Sequence, residues 1–285
     1  MKTTLITGGL GFIGSSICEL LLKKEYSDKC ILLDNFGGYM NPIKDGFKDF
    51  RKQRFPSLKN IIIERCDTSN YKALSSIISK YKPNYIYHTA ALPLAKVSNL
   101  NNEEAKISSV DSTVNIIDAI NLVQNSNKHY KFNRFIYFSS SMVYGDFKTS
   151  TVNEQSEKNP KDAYGIMKLA GEVVTEGLCK LHKIPYTIIR PSAVYGPKDM
   201  NRRVSQIFIE NAFEKKKIYI QGKNEKLDFT FIKDLANGSI LAARSKKGIN
   251  EVFNITCGKG QTLLSYVIYL KKKFPELRYI IQERD

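Results

Sequence analysis

A tyrosine and a lysine in the middle of the chain have the types and the spacing for acid–base chemistry. Tyr164 and Lys168 lie four residues apart, so a helix places them on one face. A phenol has a pKa of about 10 and is a poor base at neutral pH, but a lysine ammonium one turn away favours the phenolate. Ser140 lies in the serine-rich end of an apolar stretch and could hydrogen-bond the same substrate oxygen. We therefore expect Tyr164 to be a general base, assisted by Lys168 and Ser140.

The glycines near the start of the chain predict a site for the phosphates of a dinucleotide. The short apolar segment 3–7 runs directly into Gly8, Gly11 and Gly14. Gly8 allows a tight turn, Gly11 lets the backbone approach a pyrophosphate, and Gly14 lets the following helix pack close to the strand. Backbone N–H groups at the start of this helix then hold the anion, helped by the helix dipole.

An acidic residue follows the glycines at the expected distance. The apolar stretch 30–33 ends at Asp34, about twenty residues past the glycine turn, where a dinucleotide fold places an acid on the ribose hydroxyl. Because a carboxylate repels the extra phosphate of NADP, the sequence predicts NAD as the cofactor.

Strand and helix patterns alternate through most of the chain, which is what a parallel sheet requires to bring these residues together. Predicted strands lie at 60–64, 84–88, 132–139 and 185–190, and predicted helices at 71–80, 109–124 and 163–182. This alternation predicts an α/β fold, a doubly wound parallel sheet (Rossmann fold) with helices on both faces.

The pattern changes after Pro191 into shorter, discontinuous pieces. Helices are predicted at 204–214, from 234 onward and at 263–273, and strands at 217–221 and 229–232. We expect residues 1–190 to form the core NAD-binding domain, and residues 191–285 to form mainly a smaller substrate-binding part, with some segments returning to the core. The long connection 36–60 could flank the cofactor or cover a substrate.

Composition places the chain among ordinary globular enzymes. It has 285 residues with 42% hydrophobic content, enough for a full core. No apolar run approaches the length that crosses a bilayer, and the N-terminus lacks the pattern of a signal peptide. The five cysteines are scattered and without metal-like spacing. These features predict a cytoplasmic protein with buried thiols, without a metal site and without a membrane partner.

The net charge of +16 has two interpretations. The lysines are spread over the whole chain, which favours solvated surface charge. Attraction of an anionic partner is the alternative. No aromatic-interleaved basic tract is present, so we expect no nucleic-acid partner, whereas a phosphorylated small molecule stays possible.

In combination, these motifs resemble the extended short-chain dehydrogenase/reductase family and, within it, the nucleotide-sugar epimerase and dehydratase group that includes UDP-glucose 4-epimerase-like proteins. The resemblance extends over essentially the whole chain. It implies an NAD cofactor, a nucleotide-sugar substrate, and a homodimer built on the helices near 109–124 and 163–182. The cofactor-binding residues that it implies are Gly8, Gly11, Phe12, Ile13, Gly14, Asp34, Asn35, Asp67, Thr68, Ala90, Ala91, Ser139, Tyr164, Lys168, Pro191 and Ala193.

Two departures from the family pattern concern the substrate. The dehydratases of the family carry an Asp-Glu pair after the catalytic Ser/Thr, where this chain has Ser141 and Met142, so elimination of water is disfavoured. Leu227 stands where many members have an arginine that clamps the diphosphate, so other cations must bind the phosphates. The expected substrate-binding residues are Ser141, Met142, Ser192, Arg202, Arg203 and Lys226.

The reaction that remains is oxidation of a sugar carbinol, usually at C4. The resemblance implies an NAD-dependent nucleotide-sugar epimerase that acts through a transient keto intermediate. A C4 dehydrogenase or reductase would use the same residues and stays open. A non-catalytic NAD-binding or nucleic-acid-binding relative is a third alternative, and the intact set of Ser140, Tyr164 and Lys168 speaks against it.

Overall fold

A seven-stranded parallel sheet forms the centre of the computed structural model, which describes residues 2–36, 55, 59–92, 101–199 and 203–282. From one edge to the other its strands are β3 (Ile61–Arg65), β2 (Lys29–Asp34), β1 (Thr3–Thr7), β4 (Tyr85–His88), β5 (Arg134–Phe138), β6 (Tyr186–Pro191) and β11 (Glu251–Ile255). Every neighbouring pair is parallel. The order reverses next to β1, so the carboxyl ends of β1 and β4 border a crevice where open sheets of this kind bind ligands.

Helices cover both faces of this sheet, and two further helices pack in the C-terminal region. They are α1 (Phe12–Lys23), α2 (Tyr71–Tyr81), α3 (Ser112–Ser126), α4 (Ala163–Leu181), α5 (Val204–Phe213), α6 (Ile232–Arg244) and α7 (Leu263–Lys273). Helices α2, α3 and α4 pack on one face and helices α1 and α6 on the other, whereas α5 and α7 pack in the C-terminal region. The predicted doubly wound α/β fold is therefore confirmed. The predicted helix 109–124 starts earlier than expected, because a short helix (Asn102–Lys106) and a π-helical turn (Ile107–Asp111) lead into α3.

The two faces are filled by alternate residues of the same strands. In β2, Ile31 packs beneath α2 and α3 whereas its neighbour Leu32 packs beneath α1 and α6, and both are fully buried. Leu5 and Ile6 of β1 divide in the same way. Because a strand points successive side chains to opposite faces, a sheet covered on both sides needs continuous apolar runs such as segment 30–33.

The C-terminal region has a smaller core of its own and also contributes to the main sheet. Its strand pairs are β7 (Val194–Tyr195) with β10 (Thr230–Phe231), β8 (Ile218–Gln221) with β13 (Tyr279–Gln282), and β9 (Lys226–Asp228) with β12 (Gly260–Thr262). Phe208, Ile220 and Val267 centre the smaller core. Helix α6 and strand β11 belong to the main sheet, and the sequence analysis did not predict β11. Most of the connection 36–60 lies outside the described residues.

Two glycines let helix α4 lie unusually close to strand β5 and to the turn that follows it. A Cβ atom at Gly171 would overlap the hydroxyl of Tyr137, and one at Gly165 would lie 2.8 Å from the carbonyl oxygen of Met142. Gly177, on the same helix, would meet no described atom within 4 Å. The close approach at Gly165 and Gly171 brings the first turns of α4 to the carboxyl end of β5.

We predict that Gly171→Ala destabilises the protein by about 1–3 kcal/mol, because the added methyl group overpacks against Tyr137. Gly177→Ala is the matched control, since it adds the same atom to the same helix at a position that is open within its own subunit, and it gains about 0.5–1 kcal/mol of helix propensity. Urea denaturation of both variants measures the difference. Equal stabilities for the two variants would contradict this account of how α4 packs.

Candidate active site

The turn between β1 and α1 is built around the three predicted glycines. Gly8 has a left-handed φ of 64°, and a Cβ there would lie 2.8 Å from the backbone nitrogen of Ala90. A Cβ at Gly14 would lie 2.5 Å from the Gly8 carbonyl oxygen, so this glycine sets how closely α1 approaches the strand. Gly11 is the N-cap of α1, and it donates a 2.9 Å backbone hydrogen bond to the Gly8 carbonyl.

The outer side of this turn is open and rich in backbone donors. Among the described residues, a Cβ at Gly11 would meet only the Gly8 carbonyl group. The N–H groups of the first turn of α1, which include Phe12, Ile13 and Gly14, have no partner within the helix, and Gly11 has no side chain to cap them. An open cradle of free N–H groups at a helix N-terminus fits a pyrophosphate.

Acidic groups at the ends of β2 and β3 lie beside the glycine turn. The Asp34 carboxylate accepts hydrogen bonds from the backbone N–H of Leu10, at 3.2 Å, and of Phe36, at 2.9 Å. Asn35 donates its side-chain amide to Asp67, at 2.9 Å. Asp34, Asn35 and Asp67 therefore lie together at one edge of the crevice, as the ribose and adenine positions of a dinucleotide require.

The carboxylate of Asp67 is held in its charged form. Burial raises its pKa, but hydrogen bonds from Asn35 and from the backbone and hydroxyl of Ser69 outweigh this and hold the pKa below its ordinary value. Thr68 is buried next to it, and its carbonyl accepts a 3.0 Å hydrogen bond from the side chain of Asn115 on α3. This side of the site is thus anionic and firmly tied to the sheet.

Two further predicted segments border the crevice. Ala90 and Ala91 follow β4 and are partly exposed, and the Ala90 N–H donates to the Thr7 hydroxyl at 3.3 Å. Pro191 ends β6, and Ser192 and Ala193 carry the chain onward to β7.

Ser140, Tyr164 and Lys168 meet at the carboxyl end of β5. Ser140 is buried, and its hydroxyl lies near enough to the phenol of Tyr164 to favour the phenolate. The Lys168 ammonium donates a 2.7 Å hydrogen bond to the carbonyl oxygen of Phe138, the last residue of β5, and lies 5.8 Å from the Tyr164 ring centroid. Asp162 caps α4 by accepting from the Gly165 N–H at 2.7 Å, which fixes the first turn that carries Tyr164.

Burial and charged neighbours determine the ionisation of Tyr164 and Lys168. Burial raises the pKa of Tyr164, while the charge of Arg203 and the nearby hydroxyl of Ser140 act in the opposite direction. Among the described residues, the cation with the largest effect on the phenol is Arg203, whereas the sequence analysis expects this role for Lys168. Burial lowers the pKa of Lys168 to about 8, against the charge of Glu172, which raises it.

The residues expected to bind substrate form a looser group. Ser141 and Met142 are partly exposed in a 3₁₀ turn, Ser141–Tyr144, and the Met142 N–H donates to the Ser140 hydroxyl at 3.1 Å. Arg203 caps helix α5, and its buried Nε atom has no hydrogen-bond partner among the described residues. Lys226 is exposed at the start of β9, and Arg202 lies outside the described residues.

The sequence analysis missed a buried ion pair directly behind this cluster. The Arg190 guanidinium on β6 donates to the Glu172 carboxylate of α4 through Nε at 2.8 Å and through Nη2 at 2.6 Å. Ser139, which the sequence analysis places at the cofactor, donates its hydroxyl to Glu172 at 2.5 Å. The sequence does carry a signal, because Tyr164, Lys168 and Glu172 recur every four residues along one helix face.

Comparison with known proteins agrees with the fold and with the glycine turn. Residues 4–256 match the model of the NAD dependent epimerase/dehydratase family, so the chain belongs to that family. NAD is accordingly its cofactor, and the open cradle at Gly11 fits it.

Similar proteins fall in both branches that the family's description names. The chain is 30% identical over 261 residues to a putative UDP-glucose 4-epimerase of Methanocaldococcus jannaschii, covering 90% of this chain and 77% of that protein. It is 29% identical over 268 residues to a dTDP-D-glucose 4,6-dehydratase of Dictyostelium discoideum, covering 90% of this chain but only 58% of the relative. The crystal structure of UDP-glucuronic acid 4-epimerase from Bacillus cereus, in complex with UDP-glucuronic acid and NAD, superposes with a TM-score of 0.83 at 28% identity. That match covers 99% of this chain and 86% of the other.

Within the described ranges, no helix of the protein is both long enough and apolar enough to span a membrane.

We predict that Asp34→Asn weakens NADH binding about tenfold and improves NADPH binding, because the variant loses a charged hydrogen-bond acceptor and the repulsion of a second phosphate. Fluorescence titration with each nucleotide measures both dissociation constants. Asp28→Asn, at the other, exposed end of the same strand region, is the control and should change neither. An unchanged preference for NADH in Asp34→Asn would show that another group selects the cofactor.

Proposed function

We propose that this chain is an NAD-dependent nucleotide-sugar epimerase that acts at C4 through a transient keto sugar. The observation that carries the proposal is the meeting of Ser140, Tyr164 and Lys168 at the end of β5, beside the crevice that the glycine turn borders. Bound NAD supplies a hydride acceptor for oxidation of the sugar and a donor for its reduction.

The residues of the chain handle the proton. The Tyr164 phenolate takes the proton of the C4 hydroxyl and becomes the phenol, and the Ser140 hydroxyl, which lies near that ring oxygen, holds the same substrate oxygen. The positive charges of Lys168 and Arg203 favour the phenolate that this step needs. Lys168 also holds the nicotinamide ribose. Epimerisation then requires the keto sugar to present its opposite face before Tyr164 returns the proton.

The residues around the base favour epimerisation over loss of water. Elimination across C5 and C6 needs an acid and a base next to Ser140, and that turn contains Ser141 and Met142 instead. Neither side chain can exchange a proton with a sugar carbon near neutral pH. The chemistry of these two side chains favours an epimerase where sequence identity does not decide, because the identity to an epimerase relative and to a dehydratase relative is nearly the same.

Arg203 is the strongest candidate for binding the diphosphate of the substrate. Its buried Nε atom has no partner among the described residues, and a buried donor of this kind favours an incoming acceptor. Arg202 and Lys226 are the additional cations in this proposal. Since Leu227 cannot bind phosphate, Arg203 links the nucleotide of the substrate to the tyrosine that acts on its sugar.

A net C4 dehydrogenase or reductase would use the same residues, and the products distinguish it. An epimerase interconverts two nucleotide sugars with no added oxidant and leaves total NAD unchanged. Mass spectrometry and NMR of products from a panel of nucleotide sugars, with and without added NAD, test the proposal. Stoichiometric formation of NADH with a released keto sugar would identify a dehydrogenase, and a 4-keto-6-deoxy product would identify a dehydratase.

We predict that Tyr164→Phe lowers turnover about 10²–10⁴-fold, because the ring still packs but the proton acceptor is gone. NADH binding should persist, since the glycine turn and Asp34 are unchanged. Met142→Leu is the control, because it alters only the shape of the pocket and should keep most activity. Steady-state kinetics and NADH titration of both variants give the comparison. Near-normal turnover by Tyr164→Phe would overturn the assignment of the base.

We also propose that the chain forms a homodimer through α3 and α4. Leu122 on α3 is 48% exposed, and Ile166 and Val173 on α4 are 47% and 66% exposed, although all three are apolar. The two on α4 lie seven residues apart and share a helix face. Leu178, in contrast, packs into the core of its own subunit. A second copy of the same two helices would cover this face by twofold symmetry.

We predict that Val173→Asp converts the protein to a monomer, because it places a charge at the centre of the proposed helix interface. Leu241→Asp, on α6 and 53% exposed on the other side of the sheet, is the control and should leave the dimer intact. Light scattering at micromolar concentration gives both masses. A monomeric wild-type protein would contradict the proposal.

A further inference from the structure

The Glu172–Arg190 pair is buried and almost fully satisfied. Glu172 is 3% exposed and Arg190 is 2% exposed. Both carboxylate oxygens accept from the guanidinium, in a two-pronged geometry that gives strong, directional hydrogen bonds. Burial lowers the pKa of Arg190, but the hydrogen bond and charge of Glu172 outweigh this, and the pKa ends above its ordinary value. The pair is therefore ionised inside the protein.

Glu172 and Lys168 form hydrogen bonds with neighbouring residues at the end of strand β5. The Ser139 hydroxyl donates to Glu172, and Lys168 donates to the carbonyl oxygen of Phe138. Phe138 and Ser139, two successive residues at the end of β5, are thus hydrogen-bonded to Lys168 and Glu172, which lie one turn apart on α4. The next residue is Ser140, so the position of its hydroxyl follows from both contacts.

Arg190 extends the same network to the turn after Ser140. Its Nη1 donates to the Tyr144 hydroxyl at 2.8 Å and to the carbonyl oxygen of Glu154 at 3.1 Å. Tyr144 closes the 3₁₀ turn and in turn donates to the side chain of Asn254 on β11 at 2.8 Å. The pair is therefore fixed from both ends and cannot swing away from the strand end without breaking several buried hydrogen bonds.

Among the described groups, Glu172 is the one carboxylate whose charge raises the pKa of Lys168, and it lies one turn away on the same helix. Tyr164 lies one turn before Lys168 on α4, with its ring 5.8 Å from the ammonium, and Tyr137 of β5 presents its ring at 5.2 Å. Burial raises the pKa of both phenols, which favours their uncharged forms while no cofactor or substrate is bound. His88 of β4 is also neutral, because burial and the charge of Lys168 lower its pKa to about 3.

We propose that Glu172, held by Arg190, is a positioning residue that keeps Lys168 charged and the Ser139–Ser140 peptide in place for catalysis. A contribution to folding stability does not by itself explain the Glu172–Arg190 pair, because well-packed apolar residues can often replace a buried ion pair without loss of stability. A carboxylate one turn from a buried ammonium does what an apolar residue cannot, since it favours the charged form of Lys168. The inference rests on the proposed role of Lys168 in holding the nicotinamide ribose.

The test is the pH dependence of NADH binding. In the wild-type protein, NADH affinity should fall as Lys168 loses its proton, with a midpoint near pH 8. In Glu172→Gln the favourable charge is gone, so the proton leaves at lower pH and the midpoint should move down by about one pH unit. Fluorescence titration with NADH from pH 6 to pH 9.5 measures this whatever sugar the enzyme acts on, so failure of the epimerase proposal leaves the result interpretable.

Two further variants separate charge from structure. Glu176 is one turn further along α4, and its carboxylate lies 3.9 Å from the ammonium of exposed Lys180. The variant Glu176→Gln should therefore keep the wild-type midpoint. Glu172→Met/Arg190→Met replaces the pair with apolar groups and avoids leaving an unpaired buried arginine, which would cost about 3–5 kcal/mol. The folded double variant loses the positive charge of Arg190 as well, so its midpoint should fall less than that of Glu172→Gln and still lie below the wild-type value. A wild-type midpoint in the folded double variant would overturn the proposal.

Discussion

Lys168 is an ammonium group buried at the end of a strand, and its hydrogen bond to the Phe138 carbonyl joins helix α4 to the sheet. A lone charge in such a place would be very costly, so its surroundings must supply what water would. The carbonyl oxygen, the faces of two tyrosine rings and the carboxylate of Glu172 do so. The close approach of α4 at Gly165 and Gly171 is what allows the ammonium to reach the strand end. Packing and chemistry therefore depend on the same contact.

The parts of this arrangement that are local in sequence could be predicted. The glycine turn depends on a strand, three glycines and a helix in immediate succession, and the alignment of Tyr164 with Lys168 depends only on helical periodicity. The core strands were predictable because a sheet covered on both faces needs continuous apolar runs. Helix α7 has the predicted bounds because its apolar residues repeat along one face, which is a local signal as well.

The parts of the structure that depend on tertiary contacts could not be predicted from the sequence. Strand β11 has a mixed sequence, and only its pairing with β6 makes it part of the sheet. Arg190 and Glu172 lie eighteen residues apart on different elements, so nothing local couples them. The action of Arg203 on Tyr164 likewise requires the start of α5 to fold back over the first turn of α4. In each case the sequence supplies a residue of the right type, and the topology decides its partner.

Strand β11 has a consequence for how the protein forms on the ribosome. Strand β6 is complete at Pro191, but its outer edge stays unpaired until residues 251–255 emerge, about sixty residues later. At ordinary rates of synthesis this takes roughly 3–12 s. During that interval an apolar strand presents free backbone groups, and Tyr144 lacks the Asn254 side chain that completes its hydrogen bonding. The nascent chain thus passes through a stage in which its glycine turn can fold while the 3₁₀ turn Ser141–Tyr144 lacks one of its hydrogen bonds, and in which the open edge of β6 favours association with another chain.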